Sequence, residues 1–183
     1  MATAVPLCYH APGMPLDPKK RDGLKPIDQD FLKNIHEFGW HVMGVVPREG
    51  DEGHAWSYST GLFFHYKHPE IVVFNEAADL RLSMINAIGE RVKAGEAFVP
   101  GTRYPDIIGN FDVQFLPMHP SHYWDWLNFA CWFYDNNENS FPVLQCIYPD
   151  MQGKFPWETG CETWAVEQQP FYDRPRNTTD QEC

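Results

Sequence analysis

Three short stretches hold the residue types that do chemistry. The first is His65-x-x-His68-x-Glu70, with His54 on the loop before it. Imidazole and carboxylate groups ligate zinc or iron, and they also pass protons. No H-E-x-x-H spacing is present, and the histidines fall where a polar loop enters an apolar run. No metal site is therefore expected, and His54, His65 and His68 are the residues that would build one if it existed. Side chains two apart on an extended segment lean the same way. That places Glu70 beside His68, as the orienter of a general base. The plainer reading is a satisfied polar turn with His68 oriented by Pro69.

The second stretch is Ser57-Tyr58-Ser59-Thr60-Gly61. Ser59 sits in a degraded G-x-S-x-G pattern, whose nucleophile needs a strand-to-helix turn on a large parallel sheet. LFFHYKHPE follows, and Pro69 is expected to close off any helix, so serine hydrolysis is not expected. Hydroxyls along a strand more often line a pocket or bond the neighbouring strand. Tyr58 and Thr60 are accordingly candidates for ligand binding.

The third is YPDMQGKFPWE, residues 148 to 158. Pro149 presets φ, Asp150 can bond its own backbone two residues on, and Gly153 takes a left-handed conformation. A hairpin with a loop of about four or five residues is expected. The alternative puts Asp150 or Glu158 at the rim of a pocket, with Trp157 as its apolar wall. Gln145, just upstream, joins Asp150 and Trp157 among the ligand-binding candidates.

Other chemistries find less support. The five cysteines, Cys8, Cys131, Cys146, Cys161 and Cys183, are odd in number, widely spaced and without C-x-x-C. Neither a disulfide framework nor a zinc knuckle follows. Cys131 and Cys146 lie in apolar segments, where burial keeps a thiol inert, and Glu162 disfavours a thiolate at Cys161. Dinucleotide and Walker phosphate loops are absent. A flavin held by aromatic and hydroxyl contacts is permitted, and the cofactor stays unassigned.

The elements that must position these groups are legible from periodicity. Asp28 can cap a helix over 29–38, with Phe31, Leu32, Ile35 and Phe38 at helical spacing and Gly39 as the stop. Strands are expected over 40–47, 55–64, 70–74, 111–118 and 142–148, with 154–157 pairing back. A second helix covers 79–94, with Leu80, Met84, Ile85, Ile88 and Val92 as its stripe and Gly95 as its end. A third, apolar on nearly all sides, covers 122–136. Runs of strands with helices between the runs argue for an α+β domain, a mostly antiparallel sheet with about three helices packed on it. Residues 1–26 are expected to form an N-terminal arm, 27–172 a single globular domain, and 173–183 a flexible polar tail.

With 43% apolar and 15% aromatic residues in 183, the chain can bury a sizeable core. Its net charge of −11 repels phosphate backbones and anionic membranes, and Lys19, Lys20, Arg21 and Lys25 are diluted by Asp17 and Asp22. Neither nucleic acid nor membrane is an expected partner. The N-terminus shows no signal peptide and no run of about 18 apolar residues, so a cytoplasmic location is expected.

GWHVMGVV, SYSTGLFFHYKHPEIVVF, YPDMQGKFPWE and EQQPF occur in this order. Together they resemble the bacterial domain-of-unknown-function family 4262, over about residues 35 to 172. The most specific piece is the Tyr-x-Thr-Gly-Leu run followed by His-Pro-Glu. The likeness resides at Tyr58, Thr60, Gly61, His68, Pro69, Glu70, Gln145, Asp150, Gly153, Pro156 and Trp157. It implies no catalytic role, because the family's activity is unassigned. The favoured function is a binding or interaction domain, accessory or regulatory, with an aromatic- and hydroxyl-lined pocket for an unknown small molecule or protein. The alternative is an enzyme using His68 and Glu70, with or without a metal or flavin.

Overall fold

Pro26 opens the first helix and Gly39 closes it in the computed structural model, which describes residues 25–48, 53–134 and 140–176. The expectations for residues 1–24 and 177–183, including Lys19, Lys20, Arg21, Cys8 and Cys183, lie outside the described residues. Helix α1 spans Pro26–Phe38 and buries Phe31, Leu32 and Ile35, while Phe38 points to solvent. Asp28 is not the cap. It lies one turn in, and its Oδ2 accepts from the Lys25 N–H at 3.1 Å. Gly39 has φ +101, and a Cβ there would also collide with the Tyr66 hydroxyl. Two separate demands thus fix glycine at this position.

Six strands form one sheet: β1 His41–Val45, β2 Trp56–Thr60, β3 Glu70–Phe74, β4 Tyr104–Ile108, β5 Phe111–Pro117 and β6 Val143–Ile147. Their order is β1-β2-β3-β6-β5-β4. Only β3 and β6 pair in parallel; the other pairs are antiparallel. The fold is α+β with a mostly antiparallel sheet. All five residues of β3 and of β6 are buried, Glu70 and Gln145 among them, as the centre of a doubly covered sheet requires. Helix α3, Ala78–Lys93, covers one face, where Met84, Ile85, Ile88 and Val92 meet Ile71, Val73 and Phe115. On the other face, α1 and the helical segment after β5 enclose Tyr58, Val72 and Phe74.

Four expectations are corrected. First, β2 stops at Thr60, and Leu62–Tyr66 forms a short helix, α2, rather than more strand. Gly61 turns the chain at φ +119, and a carboxylate from β3 receives the helix's first N–H groups. Pro69 lies beyond its end and does not prevent it. Second, the expected helix over 122–136 is a 3-10 turn, Pro120–His122, then α4 Tyr123–Trp126 and α5 Asn128–Phe133. It breaks at Leu127, where the Trp126 carbonyl accepts from Trp56 Nε1 at 2.7 Å and Asn128 bonds the Phe129 N–H. Tertiary and local bonds there outcompete helical ones. Third, residues 154–157 form no strand. Fourth, the loop after α3 contains a strand that periodicity missed, β4, with Asp106 at φ +64. A last short helix, α6, spans Thr163–Glu167. Among the described residues no helix is long and apolar enough to cross a membrane.

Candidate functional site

Glu70 begins β3 and is 1% exposed. A buried carboxylate needs its lone pairs filled. Ser59 and Tyr134 each donate a hydroxyl to it at 2.5 Å, and the Gly61 and Phe63 N–H groups donate at 2.8 and 3.1 Å. Ser59 Oγ in turn accepts from the Ile71 N–H at 2.9 Å, which commits its proton to Glu70. Burial pushes the carboxyl's pKa up, and the bonds from Ser59, Tyr134, Gly61 and Phe63 pull it back. Tyr134, sealed beside this carboxyl, is raised well above the ordinary phenol value, chiefly by burial. Glu70 therefore ties together β2, α2 and Tyr134, the residue that ends α5. Ser59 does sit before a strand-to-helix turn, but its hydroxyl is buried and spent here.

His68 precedes this carboxylate by two residues but does not bond it. Its Nε2 accepts from the Phe98 N–H at 3.1 Å, and Nδ1 lies 2.8 Å from the Pro69 carbonyl. A backbone N–H can only donate, so Nε2 carries no proton and Nδ1 donates to Pro69. The expected pairing, Glu70 orienting His68, gives way to two separate sets of partners. Burial lowers the His68 pKa.

His68 does line a cavity of about 790 Å³ at the end of the sheet where β3 and β6 begin and β5 finishes. Prolines surround it because strand ends and their loops meet here: Pro69, Pro100, Pro117, Pro120 and Pro142. The rings of Tyr66, Phe98, Tyr123 and Phe141 supply further apolar wall. These walls are pinned. Phe98 is held between Tyr104 and Phe115, with ring centroids 4.7 and 4.9 Å away, and Tyr104 Oη accepts from the Val99 N–H at 2.8 Å. Phe141 stacks on Tyr134 at 4.4 Å, so the Glu70 network stands directly behind this wall.

A second histidine, His119, also lines the cavity. Its Nδ1 accepts from the Ser121 N–H at 3.2 Å and lies 2.9 Å from Ser121 Oγ. The ring is thereby fixed with its proton on Nε2, the opposite tautomer to His68. The first described residues after 172 rest close by. The Arg176 N–H donates to Ser121 Oγ, and the Arg176 guanidinium pairs with Asp125.

The remaining predicted residues lie elsewhere. Tyr58 is fully buried, its hydroxyl between Asn128 Oδ1 and the Phe129 N–H, both at 3.3 Å. Thr60 is 0% exposed, and its hydroxyl has no hydrogen-bond partner. Gln145 is buried and donates to the Pro170 carbonyl at 2.7 Å, strapping the C-terminal segment to β6. Asp150 accepts from the N–H groups of Gln152, Lys154 and Glu162, each at 2.9 Å. Burial works against its charge, but the bonds from Lys154, Glu162 and Gln152 hold its pKa below the ordinary carboxylate value. Its bond two residues on and the φ of +81 at Gly153 match the turn expectation, without the hairpin. Glu158 caps the same loop through the Phe155 N–H, and Trp157 stacks on Phe155 at 5.0 Å. None of these residues touches the cavity. His54 lies 3.9 Å from Glu76, and His65 sits on α2 edge-on to His36 at 6.5 Å. Among the described residues no three His, Cys, Asp or Glu side chains gather to hold a metal ion.

Periodicity missed His119, Phe98, Tyr123 and Phe141. The one local signal was the recurrence of proline at the strand ends. The family model described as a domain of unknown function, DUF4262, matches residues 34–162, and the chain belongs to that family. No curated protein and no solved structure matches it.

Proposed function

We propose that this DUF4262 member is a small-molecule-binding domain whose ligand occupies the cavity between Pro69, Phe98, Tyr123 and Phe141. The cavity's volume of about 790 Å³ carries the proposal, since small-molecule sites typically run from about 300 to 1,000 Å³ and are mostly apolar with a few placed polar groups. The wall contacts give the site a preformed shape, so little ordering cost opposes binding. Geometry favours binding over acid–base catalysis by His68 and Glu70. Both nitrogens of His68 are engaged by backbone, and Glu70 is enclosed by four donors. Cys146 and Cys161, present as thiols, support a cytoplasmic setting.

A thermal-shift screen of the full chain against small aromatic compounds tests the proposal. A ligand at a hundred times its Kd stabilises by about 2.7 kcal/mol. Ala97 lines the cavity and is exposed, so Ala97→Trp should fill the space while leaving the unliganded melt unchanged. Hits that shift the wild type but not Ala97→Trp are the expected result. No hit, or hits indifferent to Ala97→Trp, would remove the cavity from consideration.

A further inference from the structure

Resting on the binding reading above, we infer that the cavity takes a neutral, flat aromatic molecule bearing one hydrogen-bond acceptor, and that His119 donates to it. Flat rings match the wall, where Phe98 and Phe141 are backed by further rings and prolines line the remainder. Aromatic faces and edges pair best with other rings. The polar requirement follows from the polar side chains at the cavity, of which Tyr66 directs its hydroxyl at Gly39 at the end of α1. Both nitrogens of His68 are spent on Pro69 and Phe98. The Tyr123 hydroxyl is 3.4 Å from the Met118 carbonyl, and Lys67 Nζ donates to the Phe64 carbonyl. Glu96 is held by Arg91 through two bonds of 2.6 and 2.7 Å.

His119 differs from these. Ser121 fixes its Nδ1 as the acceptor, which leaves Nε2–H as the ring's unengaged group. That group is a donor, and its complement is a carbonyl or a heteroaromatic nitrogen. An anion is disfavoured: Asp173 stands exposed at the cavity, and the chain carries a net charge of −11. The nearby cation, Lys67, is turned to the Phe64 carbonyl and the Phe63 ring.

Titration calorimetry of the full chain with three probes of one shape separates these claims. 2-Acetylnaphthalene carries the acceptor, 2-ethylnaphthalene lacks it, and 2-naphthoate adds a negative charge. The acetyl probe should bind about fivefold tighter than the ethyl probe, the difference one neutral hydrogen bond makes. Naphthoate should bind more weakly than the acetyl probe. His119→Phe should reduce the acetyl probe to the affinity of the ethyl probe while leaving the ethyl probe unchanged. His119→Ser keeps a capping oxygen for the Ser121 N–H and should give the same loss of preference if His119→Phe folds poorly. Equal binding of acetyl and ethyl probes, a preference that survives both variants, or tightest binding of naphthoate would overturn the inference and leave the binding reading standing. Failure of all three probes to bind would overturn both.

Discussion

Replacing Glu70 tests whether a buried carboxylate organises the ground on which the site stands. Its two oxygens receive two hydroxyls at 2.5 Å and two N–H groups at 2.8 and 3.1 Å. Glu70→Ala strands all four donors in an apolar interior. Each unsatisfied group costs about 1–3 kcal/mol, and water entering the vacated space recovers part of that. A net loss of about 4 kcal/mol is expected, at the top of the range for single substitutions. In a chain of this size each kcal/mol lowers Tm by about 2–4 °C, so the drop should exceed about 8 °C. Glu70→Gln keeps the shape but weakens three bonds and points an NH2 group at one of the donors. It should cost about 1–3 kcal/mol. The pH dependence separates the charged and neutral forms. Burial raises the Glu70 pKa, so its contribution to stability is full below the unfolded-state value and is lost as pH rises through the folded-state one. Glu70→Gln should erase that component. Urea titrations followed by circular dichroism, over about pH 4 to 8, read both effects. If Glu70→Gln matched the wild type at every pH, the charged-acceptor account would be wrong. If Glu70→Ala cost under about 1 kcal/mol, the whole network would be an incidental contact.

Three further outcomes are expected. Burial lowers the pKa of His68 and of His41, so the unfolded chain takes up their protons first, and stability present above about pH 6.5 should fall as the pH drops. His68→Gln should flatten that slope in urea midpoints measured between about pH 7 and 5, and an unchanged slope would refute the assignment. Gly39→Ala should lower Tm more than Gly153→Ala, because both glycines have positive φ but only Gly39 has a side chain against it; equal shifts would show that Tyr66 simply moves aside. Thr60→Val removes a buried hydroxyl without a partner and should stabilise by about 1 kcal/mol, whereas destabilisation would mean that the hydroxyl holds a bond after all.

Where burial repeats along the chain, the sequence announced its element. The stripe Met84, Ile85, Ile88 and Val92 marked α3, and the uninterrupted EIVVF marked a strand covered on both faces. Such signals need no knowledge of the rest of the molecule. The failures share the opposite property. Helix α2 exists because Glu70, eight residues after Leu62, caps it through space, and no local pattern encodes a cap that arrives from the neighbouring strand. The long apolar segment 122–136 breaks because Trp56, far upstream, claims the Trp126 carbonyl. Apolarity on all sides matched the burial of Tyr123, Leu127, Ala130 and Phe133, but Trp124 is exposed, and the pattern could not locate that break.

The same logic explains why the residues that look chemical and the residues that form the cavity are nearly disjoint sets. Tyr58, Gln145 and Asp150 drew notice as polar groups among apolar ones. A polar group in such a place must be hydrogen-bonded to be tolerated, and the bonds they make are what fasten the fold. Asp150 binds three backbone N–H groups of its own loop, and Gln145 straps the C-terminal segment. Committed to those bonds, they stand away from the cavity. A cavity is bounded instead by whatever the strand ends leave, here prolines and rings drawn from four separate stretches of chain. His68 belongs to both sets because it stands at the start of β3, where the fastened core meets that opening. His119 belongs only to the second. Its one unengaged N–H follows from a cap two residues away, a relation that becomes visible only once the turn it caps has formed.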